Sequence, residues 1–278
     1  ALGALPEIRR FIFDGKYPEA DKLANETFFS KAHGMPYQTA GSVILNFPGH
    51  DDYKDYYREL SLDRAVATTR YDVDGVAYER EVFSSFADDV IIMRVAASVE
   101  GALSFEMEYD NPSEHRIFRK GDILVLEGSG ADHEGIRGEV RYHINTRILS
   151  EGGEVDVDEC KISVKDATSA IIYISIGTNL VNYSDISGDP QEKAESILAA
   201  AVCKDYKTAI EEHSKIYGEQ FSRFKLDLGH SAEKPEATTV QRIINFPNDQ
   251  DPALVALLCQ YGRYLLICSS QPGGQPAN

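Results

Sequence analysis

Tryptophan is absent from this chain, and methionine occurs only three times in 278 residues. A stand-alone carbohydrate-binding sandwich needs exposed aromatic rings, and without indoles that duty would fall to the 15 tyrosines. Cysteine is scarce as well. Cys160, Cys203, Cys259 and Cys268 form no C-x-x-C pair, which excludes zinc-ribbon and thioredoxin-type signatures. Cys259 and Cys268 lie nine apart on one predicted helix and face opposite ways, so they cannot bridge locally. All four are expected as buried apolar thiols. Positive charge is short: Lys+Arg 28 against Asp+Glu 45 leaves a net charge of −17. That balance repels phosphate backbones and anionic bilayers, so neither nucleic acid nor membrane is an expected partner. No signal peptide, no apolar run long enough to span a bilayer and no EF-hand spacing are expected from these residues. Gly273-Gly274 is not followed by Lys-Ser/Thr and is no phosphate loop. No metal and no cofactor are expected.

What is present divides by periodicity. Leu5, Ile8, Phe11 and Ile12 recur at helical spacing until Gly15, and Pro18 opens a second helix with Ala20, Leu23, Ala24, Thr27 and Phe28 on one stripe. From about Gly41 the period becomes two. Strands are predicted over 43–47, 65–73, 76–83, 90–97, 103–109, 123–127, 139–148, 161–164 and 170–176. Asp74-Gly75 is the dipeptide a type I′ hairpin requires. So many antiparallel strands indicate a mainly β fold, a sandwich of large sheets. Near Gly188-Asp189-Pro190 the pattern turns helical again, over 194–202, 206–224 and a short helix capped by Thr238 or Thr239. Asp251-Pro252 then starts a helix that is apolar on nearly every side, from Leu254 to Ile267. Such a helix belongs inside a large protein, surrounded by others, and with nothing downstream to surround it several of its large side chains are expected to stay exposed here.

Three constellations could carry chemistry. Asp132-His133-Glu134 could supply an acid/base pair or metal ligands, but Gly130 and Gly135 mark a loop, and a loop at a domain interface is the stronger reading. Tyr37 and Gln38, in His33-Gly34-Met35-Pro36-Tyr37-Gln38, suit sugar hydroxyls and ring faces and equally suit a domain seam. Asp51 to Tyr57 mixes aromatics with carboxylates, as a glycan platform or a calcium loop would, and reads best as a solvated turn.

The string Ser269-Ser270-Gln271-Pro272-Gly273-Gly274-Gln275-Pro276-Ala277-Asn278, after Tyr261-Gly262-Arg263-Tyr264-Leu265-Leu266, resembles the entry to the catalytic domain of glycoside hydrolase family 95, chiefly α-L-fucosidases. Leu5-Pro6-Glu7-Ile8-Arg9-Arg10, Met35-Pro36-Tyr37-Gln38, Asp55-Tyr56-Tyr57-Arg58-Glu59-Leu60, Gly130-Ala131-Asp132-His133-Glu134-Gly135 and Asn179-Leu180-Val181-Asn182-Tyr183 extend the resemblance over nearly the whole chain. It implies a super-β-sandwich followed by an α-helical linker and the first helix of an α/α barrel, with limits at 1–185, 186–250 and 251–278. It implies an inverting hydrolase of terminal α-linked fucose, whose acid is a barrel glutamate and whose base is a water-activating asparagine polarised by an aspartate. On this resemblance the sequence is truncated at both ends and lacks that acid and base, so no catalytic residue is expected here. Tyr37, Gln38, Asp132, His133, Glu134 and Asn278 remain as substrate-binding or domain-interface candidates. The expected partners are a fucosylated glycan and the protein's own barrel, in a periplasmic or secreted setting. A stand-alone glycan-binding module and a purely structural domain are the competing classes.

Overall fold

The structure is a computed structural model that describes residues 2–29, 37–229 and 237–274. Two helices open it, α1 (Leu5–Phe13) and α2 (Tyr17–Phe28), with Ile8 and Ala20 buried between them. Twelve strands follow: β1 (Ser42–Asn46), β2 (Lys54–Ser61), β3 (Val66–Val73), β4 (Val76–Ser84), β5 (Val90–Ala97), β6 (Leu103–Asp110), β7 (His115–Lys120), β8 (Ile123–Ser129), β9 (Arg141–Glu151), β10 (Glu154–Val157), β11 (Lys161–Ala167) and β12 (Ser169–Thr178). They form two antiparallel sheets, one ordered β1-β6-β11-β10 and the other β2-β3-β4-β5-β12-β9-β8-β7. The expected mainly β sandwich is therefore what the chain builds. The Asp74-Gly75 turn has the expected geometry, with φ of 52° and 83°.

Packing follows from alternation along the strands. Leu103, Phe105 and Met107 of β6, with Ile162 and Val164 of β11, project from the small sheet onto Val95, Leu124, Leu126, Ile144 and Ile172 of the large one. Strand β12 is buried at nearly every position because it is covered twice. Its Ile172 and Ile174 face the small sheet, while Tyr173 faces α3 (Pro190–Ala201) and α4 (Tyr206–Phe221). Asp189 caps α3, accepting from the backbone N–H groups of Gln191 and Glu192 at 2.9 and 3.1 Å. Helix α3 sits so close to β12 that a Cβ on Gly177 would lie 2.0 Å from the Pro190 carbonyl oxygen. Gly177→Ala is expected to cost about 1–3 kcal/mol in urea unfolding, since backbone must move. An unchanged midpoint would contradict this packing.

Two further helices complete the chain, α5 (Thr239–Asp249) and α6 (Pro252–Ser269). Thr238 and Gln241 form a reciprocal capping box on α5. Arg242 grips Asp251 with both Nε and Nη2, at 2.7 and 3.1 Å, and Asp251 also caps α6 by accepting from Leu254 N–H. Tyr264 and Ile267 of α6 pack on Tyr217 and Phe221 of α4. Arg263 Nη1 donates to the carbonyls of Phe221 and Phe224.

Helix α6 leaves large side chains open, as expected here: Leu258 and Leu266 are 69% and 62% exposed, because among the described residues α4 covers only one side. Three other expectations need correction. The 18 residues of α6 are, by length and composition alone, apolar enough to cross a membrane, although no such run was expected from the sequence. All four cysteines lie exposed, two of them on α6. The segment 51–57 is not just a turn: β2 begins at Lys54 as the edge strand of the large sheet.

Candidate functional site

The sequence-selected groups converge on the connection between β8 and β9. The ladder continues past Ser129 as Gly130 N–H donates to the Val140 carbonyl at 2.9 Å. His133 and Ile136 then exchange two backbone hydrogen bonds of 2.9 Å, closing a two-residue turn at Glu134 and Gly135. Both turn residues have left-handed φ, 48° and 78°, the type I′ requirement. Asp132 Oδ1 accepts from Gly138 N–H at 3.0 Å. Gly138 has no room for a side chain, since a Cβ would meet the Gly130 carbonyl at 2.0 Å. Residues 130–140 are thus a small built hairpin.

Gln38 clasps that hairpin from a distant part of the chain. Its Oε1 accepts from Ala131 N–H at 2.6 Å and its Nε2 donates to the Ala131 carbonyl at 3.1 Å, as a neighbouring strand would. Tyr37 beside it is 83% exposed. Asn278, the remaining candidate, and His33 to Pro36 lie outside the described residues. Gln38→Ala is expected to speed amide exchange at Ala131 and Gly138 while costing less than about 1 kcal/mol globally. Unchanged exchange at Ala131 would show that something else orders the hairpin.

A second turn stands beside the first, and Asn179, marked in sequence only as part of the string 179–183, ties them together. Asn179 is 1% exposed. Its Oδ1 accepts from Arg141 N–H at 2.8 Å, its Nδ2 donates to the Glu139 carbonyl at 3.1 Å, and its carbonyl accepts from Gly188 N–H at 3.0 Å. Val181 to Asp185 then folds back on itself and leaves Tyr183 98% exposed at the tip. Only the string 179–183 flagged this region in sequence; nothing local distinguishes a buried structural asparagine from a loop one.

Below the two tips, a cavity of about 430 Å³ is lined by Glu127, Arg141, His143 and the residues leading into α3. His143 is 2% exposed, with Nδ1 3.2 Å from Glu127 Oε1 and Nε2 3.0 Å from Asn145 Oδ1. Neither His143 nor Glu127 was selected in sequence, because a histidine within a strand carries no local mark.

The strand registers place these loops together with the helices. Ser129 pairs with Arg141, Tyr142 with Thr178, Ser175 with Val90, and Ile91 with Ser84. Residues 130–140, 179–189 and 85–89 therefore leave one end of the large sheet. Helix α4 is seated at that same end. His213 Nε2 donates to the Arg64 carbonyl at 2.9 Å, its Nδ1 accepts from Phe86 N–H at 3.3 Å, and Tyr217 Oη donates to the Leu62 carbonyl at 2.7 Å. Burial holds the His213 imidazole below the ordinary histidine range. Asp132, His133 and Glu134 bring no acid/base pair together: the Asp132 carboxylate holds its own loop, and His133 contributes its backbone. Among the described residues, no group of three or more His, Cys, Asp or Glu is placed to hold a metal. The arrangement suits two stiff, polar tips that present rings and side chains to a neighbouring surface.

Residues 1–183 match the profile described as glycosyl hydrolase family 65, N-terminal domain. The chain belongs to the family of N-terminal domains that this profile describes. Residues 205–278 match the glycosyl hydrolase family 95 catalytic domain, and the resemblance to family 95 read from the sequence stands. This glycosyl hydrolase chain is similar to alpha-L-fucosidase 2 of Arabidopsis thaliana, at 32% identity over 99% of the chain and 36% of that protein. It is similar to "Probable alpha-fucosidase A" of Aspergillus niger at 26% identity, again over 99% of the chain and 36% of that protein. The chain spans about a third of the length of these curated relatives.

Proposed function

We propose that this chain is the N-terminal portion of an inverting α-L-fucosidase that hydrolyses terminal α-linked fucose from glycans. The observation that carries the reading is the similarity to alpha-L-fucosidase 2, 32% identity over 99% of the chain. In this reading residues 1–185 form the sandwich domain, 186–250 the helical linker and 251–278 the start of an α/α barrel. The sandwich packs on that barrel and shapes its approach, with the tips around His133 and Tyr183 turned towards it. Their stiffness and their place at the α4 end of the sheet support this role. The open side of α6, with Leu258 and Leu266, is then the face that further barrel helices cover. A fucosylated glycan is the substrate, and the compartment is periplasmic or secreted.

The test is a fucose-release assay on the full-length gene product, with the anomer of released fucose followed by NMR. Release of fucose as the inverted anomer is the expected result. Retention of configuration, or turnover of α-galactosides without turnover of α-fucosides, overturns the reading.

A further inference from the structure

The outer face of the large sheet is covered only in part. Helices α3 and α4 lie over Val66, Phe83, Ile92 and Tyr173. Farther along the same strands, Arg70 pairs with Glu79 and Glu79 in turn with Ala96, while Asp72 pairs with Ala77. Paired residues share a face, so these side chains stand on the side away from Tyr71 and Tyr78, which enter the core. Here the sheet carries methyl groups in its middle and long charged side chains around them. The result is an open groove of about 550 Å³, within the range of small-ligand sites.

The groove has a definite chemistry. Its floor is Ala77, Ala96 and Ser98. Arg70 Nε donates to Glu79 Oε2 at 2.6 Å, and Arg94 approaches the other Glu79 oxygen at 4.0 Å. Asp55 and Asp72 stand at the far end, so three carboxylates face two guanidinium groups. At the edge Tyr57, across from Arg70, is held by a 2.5 Å hydrogen bond to Glu59 and is 48% exposed. An anionic ligand would meet net negative charge. An extended peptide would look for a regular edge strand, and β2 is interrupted by a bulge between Lys54 and Tyr57 and carries Lys54 and Arg58. Paired carboxylate and guanidinium groups offer acceptors and donors side by side, as sugar hydroxyls require. A methyl floor beside a tyrosine ring suits the C–H face of a pyranose.

We infer that the groove between Tyr57 and Arg94 is a saccharide site, one that holds a neutral oligosaccharide on the outer face of the sandwich. The choice of a glycan as occupant rests on the fucosidase reading; the groove itself does not. Its use would be to keep a polymeric or branched substrate near the enzyme while terminal residues are removed.

The isotope-labelled 278-residue chain, titrated with lactose, 2′-fucosyllactose, cellotetraose and an oligogalacturonate, tests this by amide NMR. The expected result is shifts at Ala77, Ala96 and Ser98 with at least one neutral sugar, at dissociation constants of about 1–10 mM. The acidic sugar should leave them unmoved. Ala96→Leu fills the floor and should weaken binding about tenfold or more, with resonances outside the groove unchanged. Glu79→Gln, which leaves the shape alone, should weaken it as well. No shift with any neutral sugar, shifts confined to the tips around His133, or equal binding of the acidic sugar overturns the inference. The fucose-release assay separates the two readings. An active enzyme with an empty groove leaves the fucosidase standing, and an occupied groove on an inactive enzyme does the reverse.

Discussion

Phe105→Ala is expected to lower the unfolding free energy by about 3–5 kcal/mol. Phe105 is 1% exposed on β6, the strand at the middle of the small sheet. Its ring stacks on Phe47 with centroids 5.2 Å apart, and the Arg80 guanidinium lies 4.0 Å over the other ring's centroid. Removing it opens a cavity between two sheets whose strands hydrogen-bond only within their own layer, so neither sheet can close over the gap. In urea the midpoint should fall while the slope is kept, since the exposed area on unfolding hardly changes. Phe105→Leu should lose much less, about 1.5 kcal/mol or under. A loss below about 1 kcal/mol for the alanine variant would show that the two sheets do not depend on a shared core.

The second large effect is expected at His213, the point where the helical part grips the sandwich. Its ring joins two separate turns, accepting from Phe86 N–H and donating to the Arg64 carbonyl, and it lies 4.7 Å from the Phe83 ring. His213→Ala leaves a buried donor and a buried acceptor unpaired, and a total loss of about 3 kcal/mol follows. Phenylalanine there restores volume but not the bonds, so His213→Phe should recover only part. The pH dependence separates this role from simple packing. The folded-state pKa is depressed by burial, so the folded protein keeps this imidazole neutral while the unfolded chain protonates it below about 6.5. The stabilisation is complete above that value and is lost as pH falls towards the folded pKa. The gap in urea stability between wild type and His213→Phe should therefore shrink between pH 7.5 and pH 5.5, both proteins sharing every other titrating group. A gap that stays constant over that range would sink this account of the joint.

Much of the fold was legible because alternation is a strong signal wherever a strand has one dry face. The strands from Val66 to Ala97, from Leu103 to Asp110 and from Ser169 to Thr178 were all anticipated, since each carries side chains that enter a core and most alternate along part of their length. The missing strands share one cause. β2 is exposed along almost its whole length, β7 is exposed at both ends, and β10 has four residues. Each is an edge strand of its sheet, formed by backbone pairing with a neighbour and not by burial. Sequence pattern has nothing to show in such a case. The cysteine expectation failed for a related reason. An apolar residue in sequence states what it would gain by burial, not whether a partner is at hand.

The site divides in the same way. The residues of one hairpin, from Gly130 to Val140, could be marked from their glycines and polar triplet, because a two-residue turn is decided by the φ angles its own residues can adopt. That Gln38 serves as an extra strand for Ala131, that Asn179 binds both tips, and that His143 meets Glu127 are matters of residues far apart in the chain. The groove of Arg70, Glu79 and Ala96 is likewise a product of register: one step of slippage along β4 would turn Glu79 into the core and raise Tyr78 to the surface. By itself the sequence determined the helix, strand, helix order of the chain, the sandwich class, the Asp74-Gly75 turn and the family, all of which depend on neighbours along the chain or on side-chain types at fixed spacing. Tertiary structure alone decided which loops share an end of the sheet, which apolar faces stay open, and where charged side chains surround a methyl floor, because those depend on the pairing of strands tens of residues apart.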